Sequence, residues 1–193
     1  EIIRKVAVQN NAPLAFVETE TATALAGKHQ RQNSALAQAT TQGLRSVFSI
    51  DDQAIVDGLA NVQWAGRVQC FEKENQRLLI DAAHNPASAK ALCDVLQENF
   101  PWQRPTLLIG MLADKNWKPF VEVIAPMVDR IVCIPISSKR TLSPAQLAKE
   151  CRQHCSQVTE VGSLLEGLET VKDDPFLILT GSIYLIGEAM EQL

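Results

Sequence analysis

The residue types best suited to chemistry follow a short apolar run. Asp81, His84 and Asn85 come soon after Leu78–Ile80, and beyond Pro86 the apolar side chains recur at helical spacing. This pattern predicts a buried strand, a tight turn and a helix, which is half of a βαβ unit. Ligands of open α/β sheets bind at the carboxyl ends of the strands, so Asp81 and His84 lie where a site is expected. The alternative is that Asp81 and Asn85 only cap the helix.

Three more turns, each with polar or charged groups, follow predicted strands: residues 110–116, 135–140 and 180–182. These turns can converge with the first one on a single rim of the sheet. In the last turn, backbone N–H groups and the Ser182 hydroxyl at a helix start suit an anion such as a carboxylate or a phosphate. A simple N-cap is the alternative for Ser182. For Asp114 and Lys115 the alternative is a surface ion pair.

Strands and helices alternate from Arg67 onward, which predicts an α/β fold with a Rossmann-like, mostly parallel sheet and helices on both faces. A hairpin through residues 72–76 predicts one antiparallel edge strand. The predicted strands are Val68–Phe71, Arg77–Ile80, Thr106–Ile109, Arg130–Ile134, Gln157–Glu160 and Phe176–Leu179. The predicted helices are Ala87–Asn99, Trp117–Met127, Pro144–His154, Ser163–Val171 and Ile183–Glu191.

The first sixty residues have a less regular pattern. It predicts a helix over residues 1–10, a helix from Asn33 or Ser34 to about Gly43 and another over Asp51–Leu59. Asn33 is interpreted first as a helix cap and His29 as a loop residue. The remaining predictions are a short strand at Leu14–Val17 and a loop or edge strand at Thr19–Thr23.

The composition excludes several classes of protein. Apolar residues make up 46% of the 193 residues and the net charge is −4, which permits a core and argues against a general nucleic-acid binder. No apolar run approaches the roughly 18 residues of a membrane helix, and no signal-peptide pattern is present, so we expect a soluble protein without membrane partners. Five cysteines without a Cys-x-x-Cys pair fit a reducing cytoplasm. Cys151, His154 and Cys155 share a helix face but make a poor zinc site.

Four segments carry a family resemblance. Leu25-x-Gly-x-His-Gln-x-x-Asn-Ser-Ala and Trp64-Ala-Gly-Arg67 resemble the end of the central domain and the domain boundary of the Mur ligase superfamily. Asp81-Ala-Ala-His-Asn-Pro and Leu179-Thr-Gly-Ser-Ile-Tyr-Leu-Ile-Gly-Glu188 resemble its folylpolyglutamate and dihydrofolate synthase branch. The resemblance implies that residues 1–63 end an α/β ATPase domain and residues 64–193 form the C-terminal Rossmann-like domain.

The resemblance also implies an activity. Enzymes of this branch use ATP to activate a folate or dihydropteroate carboxylate as an acyl phosphate, which the amine of L-glutamate attacks, as part of folate and one-carbon metabolism. Because the sequence has no Walker or Gly-x-Gly-x-x-Gly motif and starts with Glu1, we expect the phosphate loop and the Mg²⁺ ligands upstream. The 193 residues alone are then expected to be inactive and to self-associate, whereas the intact protein is expected to be a monomer.

Site residues follow from the same resemblance, position by position. Asn33, Arg67 and Asp81 match positions that contact the adenine, the phosphates and the ribose hydroxyls of ATP. His84 matches the histidine that faces the acyl phosphate and the incoming glutamate. Lys115 and Ser182 match positions that hold the amino-acid carboxylate.

Three positions depart from the usual pattern: Ala65 replaces a proline, Gln69 a glutamate and Ala82 a glycine. The alternatives are a Mur-type ligase for another carboxylate substrate, or a non-catalytic module that binds a nucleotide or an amino acid.

Overall fold

The computed structural model describes residues 1–73 and 75–192. Glu74 belongs to the predicted hairpin connection and Leu193 to the predicted second domain, and both lie outside the described residues. The chain separates into two compact units. The first comprises Glu1–Ala24 and His29–Val62, and the second comprises Leu25–Lys28 and Gln63–Leu193.

The first unit is helical. Its elements are α1 (Ile2–Gln9), α2 (Lys28–Gly43, whose first residue belongs to the second unit) and α3 (Asp52–Asn61). The predicted strand at Leu14–Val17 is wrong, because these residues find no neighbouring strand with which to pair. The predicted start of α2 at Asn33 or Ser34 is also wrong. Since α2 begins at Lys28, His29 lies in the helix rather than in a loop, and Asn33 does not cap it.

The first unit buries little apolar surface. Its buried side chains are Gln30, Ser34, Ala35 and Ile55, whereas several large apolar side chains are exposed: Ile2, Ile3, Val8, Phe16, Val47 and Phe48. Hydrophobic burial therefore stabilises this unit much less than it stabilises the second.

The second unit is built on a six-stranded sheet in the order β1-β2-β6-β3-β4-β5. The strands are β1 (Gln69–Lys73), β2 (Gln76–Ile80), β3 (Thr106–Ile109), β4 (Arg130–Cys133), β5 (Gln157–Glu160) and β6 (Phe176–Thr180). The helices are α4 (Pro86–Asn99), α5 (Trp117–Ile124, followed by a 3₁₀ turn at Ala125–Met127), α6 (Pro144–Cys151), α7 (Leu164–Thr170) and α8 (Ile183–Met190). Only β1 is antiparallel among these pairs, so the predicted fold class is confirmed.

Both faces of this sheet are buried, which explains the unbroken apolar runs of its central strands. Alternate side chains of β2 point to opposite faces, so that Leu79 packs in one hydrophobic cluster and Leu78 and Ile80 pack in the other. The first cluster includes apolar residues of α4, α5 and α6, and the second includes those of α7 and α8. The neighbouring strands β2 and β6 therefore send their following helices to opposite faces. A crevice between strand ends opens at such a point.

Four of the five cysteines are buried in the core, Cys70 is exposed, and none forms a cross-link. All five are free, and the Sγ atoms of Cys133 and Cys151 lie 3.9 Å apart inside the sheet–helix cluster. Burial raises the pKa of Cys93 to about 11, so this thiol stays protonated at neutral pH. None of the helices in residues 1–73 and 75–192 has the length and apolarity needed to cross a membrane.

Gly181 ends β6 with φ of +112°, a conformation that side chains with a Cβ rarely adopt. A Cβ there would lie 2.8 Å from the Met111 sulfur and would collide with the Gly110 carbonyl oxygen. Gly187, in α8, has open space around its Cβ position. These two glycines therefore form a matched pair for a stability measurement.

We expect Gly181→Ala to lower the free energy of unfolding by about 2–3 kcal/mol because of the collision and the backbone strain. Gly187→Ala should raise it by up to about 1 kcal/mol, since alanine favours the helix. Urea denaturation followed by circular dichroism measures both changes. Equal stability of the Gly181→Ala variant and the wild type would contradict the packing described at the end of β6.

Candidate active site

Asp81 joins the segment before β1 to the turn after β2. Its carboxylate is buried, with Oδ2 accepting from the Val68 N–H at 3.0 Å and Oδ1 from the Ala83 N–H at 2.9 Å. The Ala82 N–H donates in turn to the Gly66 carbonyl oxygen at 2.8 Å. Val68 has φ of +48°, which is unusual for a β-branched residue, and the Asp81 contact holds it in this conformation.

Arg67 lies between the two positive-φ residues of this segment and is exposed. Over the part of the chain that the structure describes, its guanidinium has no hydrogen-bond or ion-pair partner, so all of its donors are available to a ligand. Gln69, at the position of the usual glutamate, accepts from the Gly66 N–H at 3.2 Å and helps to shape the same segment. The Cβ of Ala82 is accommodated in the second hydrophobic cluster.

In the turn that leads into α4, one residue caps the helix and another has a ring nitrogen available to a ligand. Asn85 is the N-cap: its side chain accepts from the Ser88 N–H at 3.0 Å within a capping box. The capping interpretation is therefore confirmed for Asn85 and wrong for Asp81. His84 Nδ1 lies 2.9 Å from the Ala82 carbonyl oxygen. Because a carbonyl only accepts, Nδ1 carries a proton, and Nε2 is the ring nitrogen left for a ligand.

A cavity of about 230 Å³ lies at the crevice end of the sheet. It is lined by His84, Leu112, Lys115, Arg140, Gly181, Ser182, Ile183 and Tyr184. The structure thus brings together three residues that the sequence analysis assigns to amino-acid binding: His84, Lys115 and Ser182. Arg67 and Asp81 do not line this cavity.

Ser182 is both the N-cap of α8 and part of the cavity wall. Its side chain is buried, and its oxygen accepts from the Tyr184 N–H at 3.2 Å. The capping alternative is therefore confirmed, but it does not exclude ligand binding, because the hydroxyl hydrogen is still free to donate.

Arg140 is a cavity residue that the sequence analysis does not single out. Its Nη1 donates to Asp114 Oδ2 at 2.9 Å and its Nη2 to the Tyr184 hydroxyl at 3.3 Å. The ion-pair alternative for Asp114 and Lys115 is therefore wrong, since Asp114 pairs with Arg140 instead. The sequence feature that could have indicated Arg140 as a site residue is its position in the polar turn of residues 135–140, which follows a predicted strand.

Asn33 lies in the other unit, inside α2. Its side-chain amide donates to Gln30 Oε1 at 3.0 Å. It lines a separate cavity of about 600 Å³, together with the extended segment from Leu14 to Glu20. In the same cavity wall, the Arg4 guanidinium lies 4.6 Å from the centre of the Phe16 ring.

No group of three or more His, Cys, Asp or Glu side chains within the described ranges is arranged to hold a metal ion. His154, considered above with two cysteines, lies 3.8 Å from the Glu150 carboxylate. The nearby Cys151 and Cys155 are buried in the core. The chain's described residues therefore offer no metal centre of their own.

Polar turns that meet at the carboxyl ends of parallel strands define an α/β ligand-binding domain. The family described as "Mur ligase, glutamate ligase domain" matches residues 66–183, and the chain belongs to this family. This finding confirms the resemblance drawn from the four sequence segments.

The chain is similar to several known enzymes. A dihydrofolate synthase/folylpolyglutamate synthase of Bacillus subtilis is 25% identical over 180 residues, which cover 89% of this chain and 40% of that protein. One from Mycobacterium tuberculosis is 32% identical over 127 residues, which cover 64% of this chain and 26% of that protein.

A solved structure is also similar. It is the folylpolyglutamate synthase of Mycobacterium tuberculosis complexed with ADP and AMPPCP, with a TM-score of 0.88 and 22% sequence identity. The match covers 100% of this chain and 52% of the chain in that structure. That likeness shows the fold. The chain spans about half of that structure and 40% of the Bacillus protein.

We expect Asp81→Asn to lower the free energy of unfolding by about 2 kcal/mol, because an amide cannot accept from both backbone N–H groups as the carboxylate does. Asp94→Asn is the matched control, since Asp94 forms only an exposed pair with Lys90 and should change stability by less than about 0.5 kcal/mol. Urea denaturation of the two variants gives the comparison. If Asp81→Asn were no less stable than Asp94→Asn, the junction would not depend on the Asp81 carboxylate.

Proposed function

We propose that this chain forms the amino-acid-binding portion of an ATP-dependent ligase that adds L-glutamate to folate. One observation carries the proposal: His84, Lys115 and Ser182 line one small cavity at the strand ends. The family match and the names of the similar proteins support a glutamate ligase that acts on folates. Activity with dihydropteroate is a second possibility supported by the bifunctional name of the Bacillus relative.

The proposed reaction forms an amide in two steps. ATP transfers its γ-phosphoryl group to the folate carboxylate and leaves as ADP. The amine of L-glutamate then attacks the acyl carbon, loses a proton and forms the amide as the bond to phosphate breaks. Lys115 and Ser182 hold a carboxylate of the glutamate by charge and by the free hydroxyl donor. His84 Nε2, the ring nitrogen without a proton, faces the reacting groups, where it accepts the proton that the amine loses during its attack. Such a site accelerates the reaction mainly by positioning and by stabilising charge.

ATP is assigned to groups outside this cavity. Arg67 has free guanidinium donors in the geometry that phosphate oxygens accept, which supports a phosphate contact. Asp81 is assigned to the ribose hydroxyls, because a carboxylate accepts the hydrogen bonds that hydroxyl groups donate. Asn33 is assigned to the adenine. Mg²⁺ would neutralise the ATP phosphates with ligands from a part of the enzyme other than this chain. Five free thiols agree with a cytoplasmic enzyme.

We expect the complete open reading frame, expressed and purified, to release phosphate from ATP only when a folate and L-glutamate are both present. The isolated 193-residue chain should show no turnover. Mass spectrometry should detect the glutamylated product. Turnover with a peptidoglycan precursor and none with folates would contradict the folate assignment, and binding of ATP and L-glutamate with no turnover on any carboxylate would favour a binding module.

Two variants of the complete enzyme test the assigned roles. His84→Ala should lower kcat by about 10²–10⁴, the range for loss of a general acid–base group. Lys115→Met should raise KM for L-glutamate more than KM for ATP. Lys118→Met is the control, because Lys118 lies over the Trp117 ring and does not line the cavity. Equal changes in the two KM values would argue against a contact between Lys115 and glutamate.

A further inference from the structure

Two basic side chains, Lys115 and Arg140, line a cavity of only about 230 Å³, and none of the other lining residues carries a carboxylate. Pockets for drug-sized ligands measure about 300–1,000 Å³, so this cavity suits a smaller molecule. The lining of this small cavity therefore has two basic side chains and no carboxylate, although the Asp114 carboxylate pairs with Arg140 from outside the lining. These properties favour a compact anion with more than one negative group.

The side chain of Arg140 is oriented by contacts that leave donors free. Asp114 binds Nη1 and the Tyr184 hydroxyl binds Nη2, while the guanidinium carbon lies 5.8 Å from the centre of the Tyr184 ring. A guanidinium has five N–H donors, and these contacts use two of them. An exposed ion pair contributes little to stability, so the effect of Asp114 is mainly to fix the direction of Arg140.

The backbone that carries Arg140 is also fixed to the rest of the cavity. The Arg140 carbonyl oxygen accepts from the Ala113 N–H at 2.8 Å, and the Leu142 N–H donates to Met111 at 2.8 Å. These bonds join the Arg140 turn to the loop of Lys115. On the other side, Glu188 of α8 accepts from the Ser137 N–H at 2.7 Å. Hydrogen-bonded backbone therefore fixes the separation of the two chain segments that carry Lys115 and Arg140.

We infer that Arg140 determines the specificity of the site for a dicarboxylic amino acid. Lys115 and Ser182 hold one carboxylate, and Arg140 binds the carboxylate of the amino-acid side chain through its free donors. A planar guanidinium binds a carboxylate through two parallel hydrogen bonds, whereas a neutral side-chain amide offers it only one acceptor oxygen. This inference rests on the proposed function, because it assigns the substrate class of the same cavity.

The test compares L-glutamate with L-glutamine, which has the same shape and a neutral side chain. Amide chemical shifts of the ¹⁵N-labelled chain, followed during titration with each amino acid, give both affinities. We expect the wild type to prefer glutamate by about tenfold, as one charge-assisted contact allows. Arg140→Gln should abolish this preference and leave the affinity for glutamine unchanged. Asp114→Asn, which frees Arg140 to move, should reduce the preference.

Lys139→Gln is the matched control, since it removes a cation from the same turn but from a residue that does not line the cavity. It should keep the wild-type preference. If Arg140→Gln kept the preference, or if the wild type bound both amino acids equally, the inference would fail while the proposed function stood. If the wild type bound neither amino acid in this cavity, both would fail.

Discussion

The Ala83 carbonyl oxygen accepts from the Gly181 N–H at 3.0 Å and from the Thr180 hydroxyl at 3.3 Å. This contact joins the turn after β2, which carries His84, to the turn after β6, which carries Ser182. The helices α4 and α8 leave these neighbouring strands on opposite faces of the sheet. Gly181 is required here, since a Cβ would collide with the Gly110 backbone and the Met111 sulfur.

In the turn after β2, neighbouring residues have different roles: some make structural contacts and one is left to contact a ligand. Asp81 uses its carboxylate to hold the positive-φ segment before β1, and Asn85 caps α4. His84 lies between them with one ring nitrogen committed to the backbone and the other left for a ligand. The functional group is therefore supported on both sides by groups whose contacts are structural. This arrangement holds the side chain that we propose to be catalytic between a strand end and a helix start.

Much of the second unit could be predicted from the sequence because its central strands are buried on both faces. Short apolar runs such as Thr106–Ile109 are typical of strands buried on both faces, and the structure gives this strand with the predicted bounds. The first unit was predicted less well. Leu14–Val17 is apolar and short like a strand, but a strand also needs a partner, and the local sequence contains no information about that. No Ser, Thr, Asp or Asn directly precedes Lys28, so the sequence does not show the usual N-cap residue where α2 begins.

Some residues of the candidate site could likewise be predicted from the sequence, and others could not. His84, Lys115 and Ser182 could be placed on one rim because each follows a strand of a parallel sheet. Arg140 was missed, since an arginine in a polar turn has the composition of any solvated surface, and only the pairing of its turn with residues 111–113 brings it to the cavity. The double contact of Asp81 was missed because it depends on the backbone of Val68, thirteen residues away.

A crystal structure of the chain grown with L-glutamate tests the central claim most directly. The account predicts one glutamate in the cavity, with its two carboxylates near Lys115 and Arg140 and its amine toward His84. Glutamate bound elsewhere on the chain, with this cavity empty, would contradict the account.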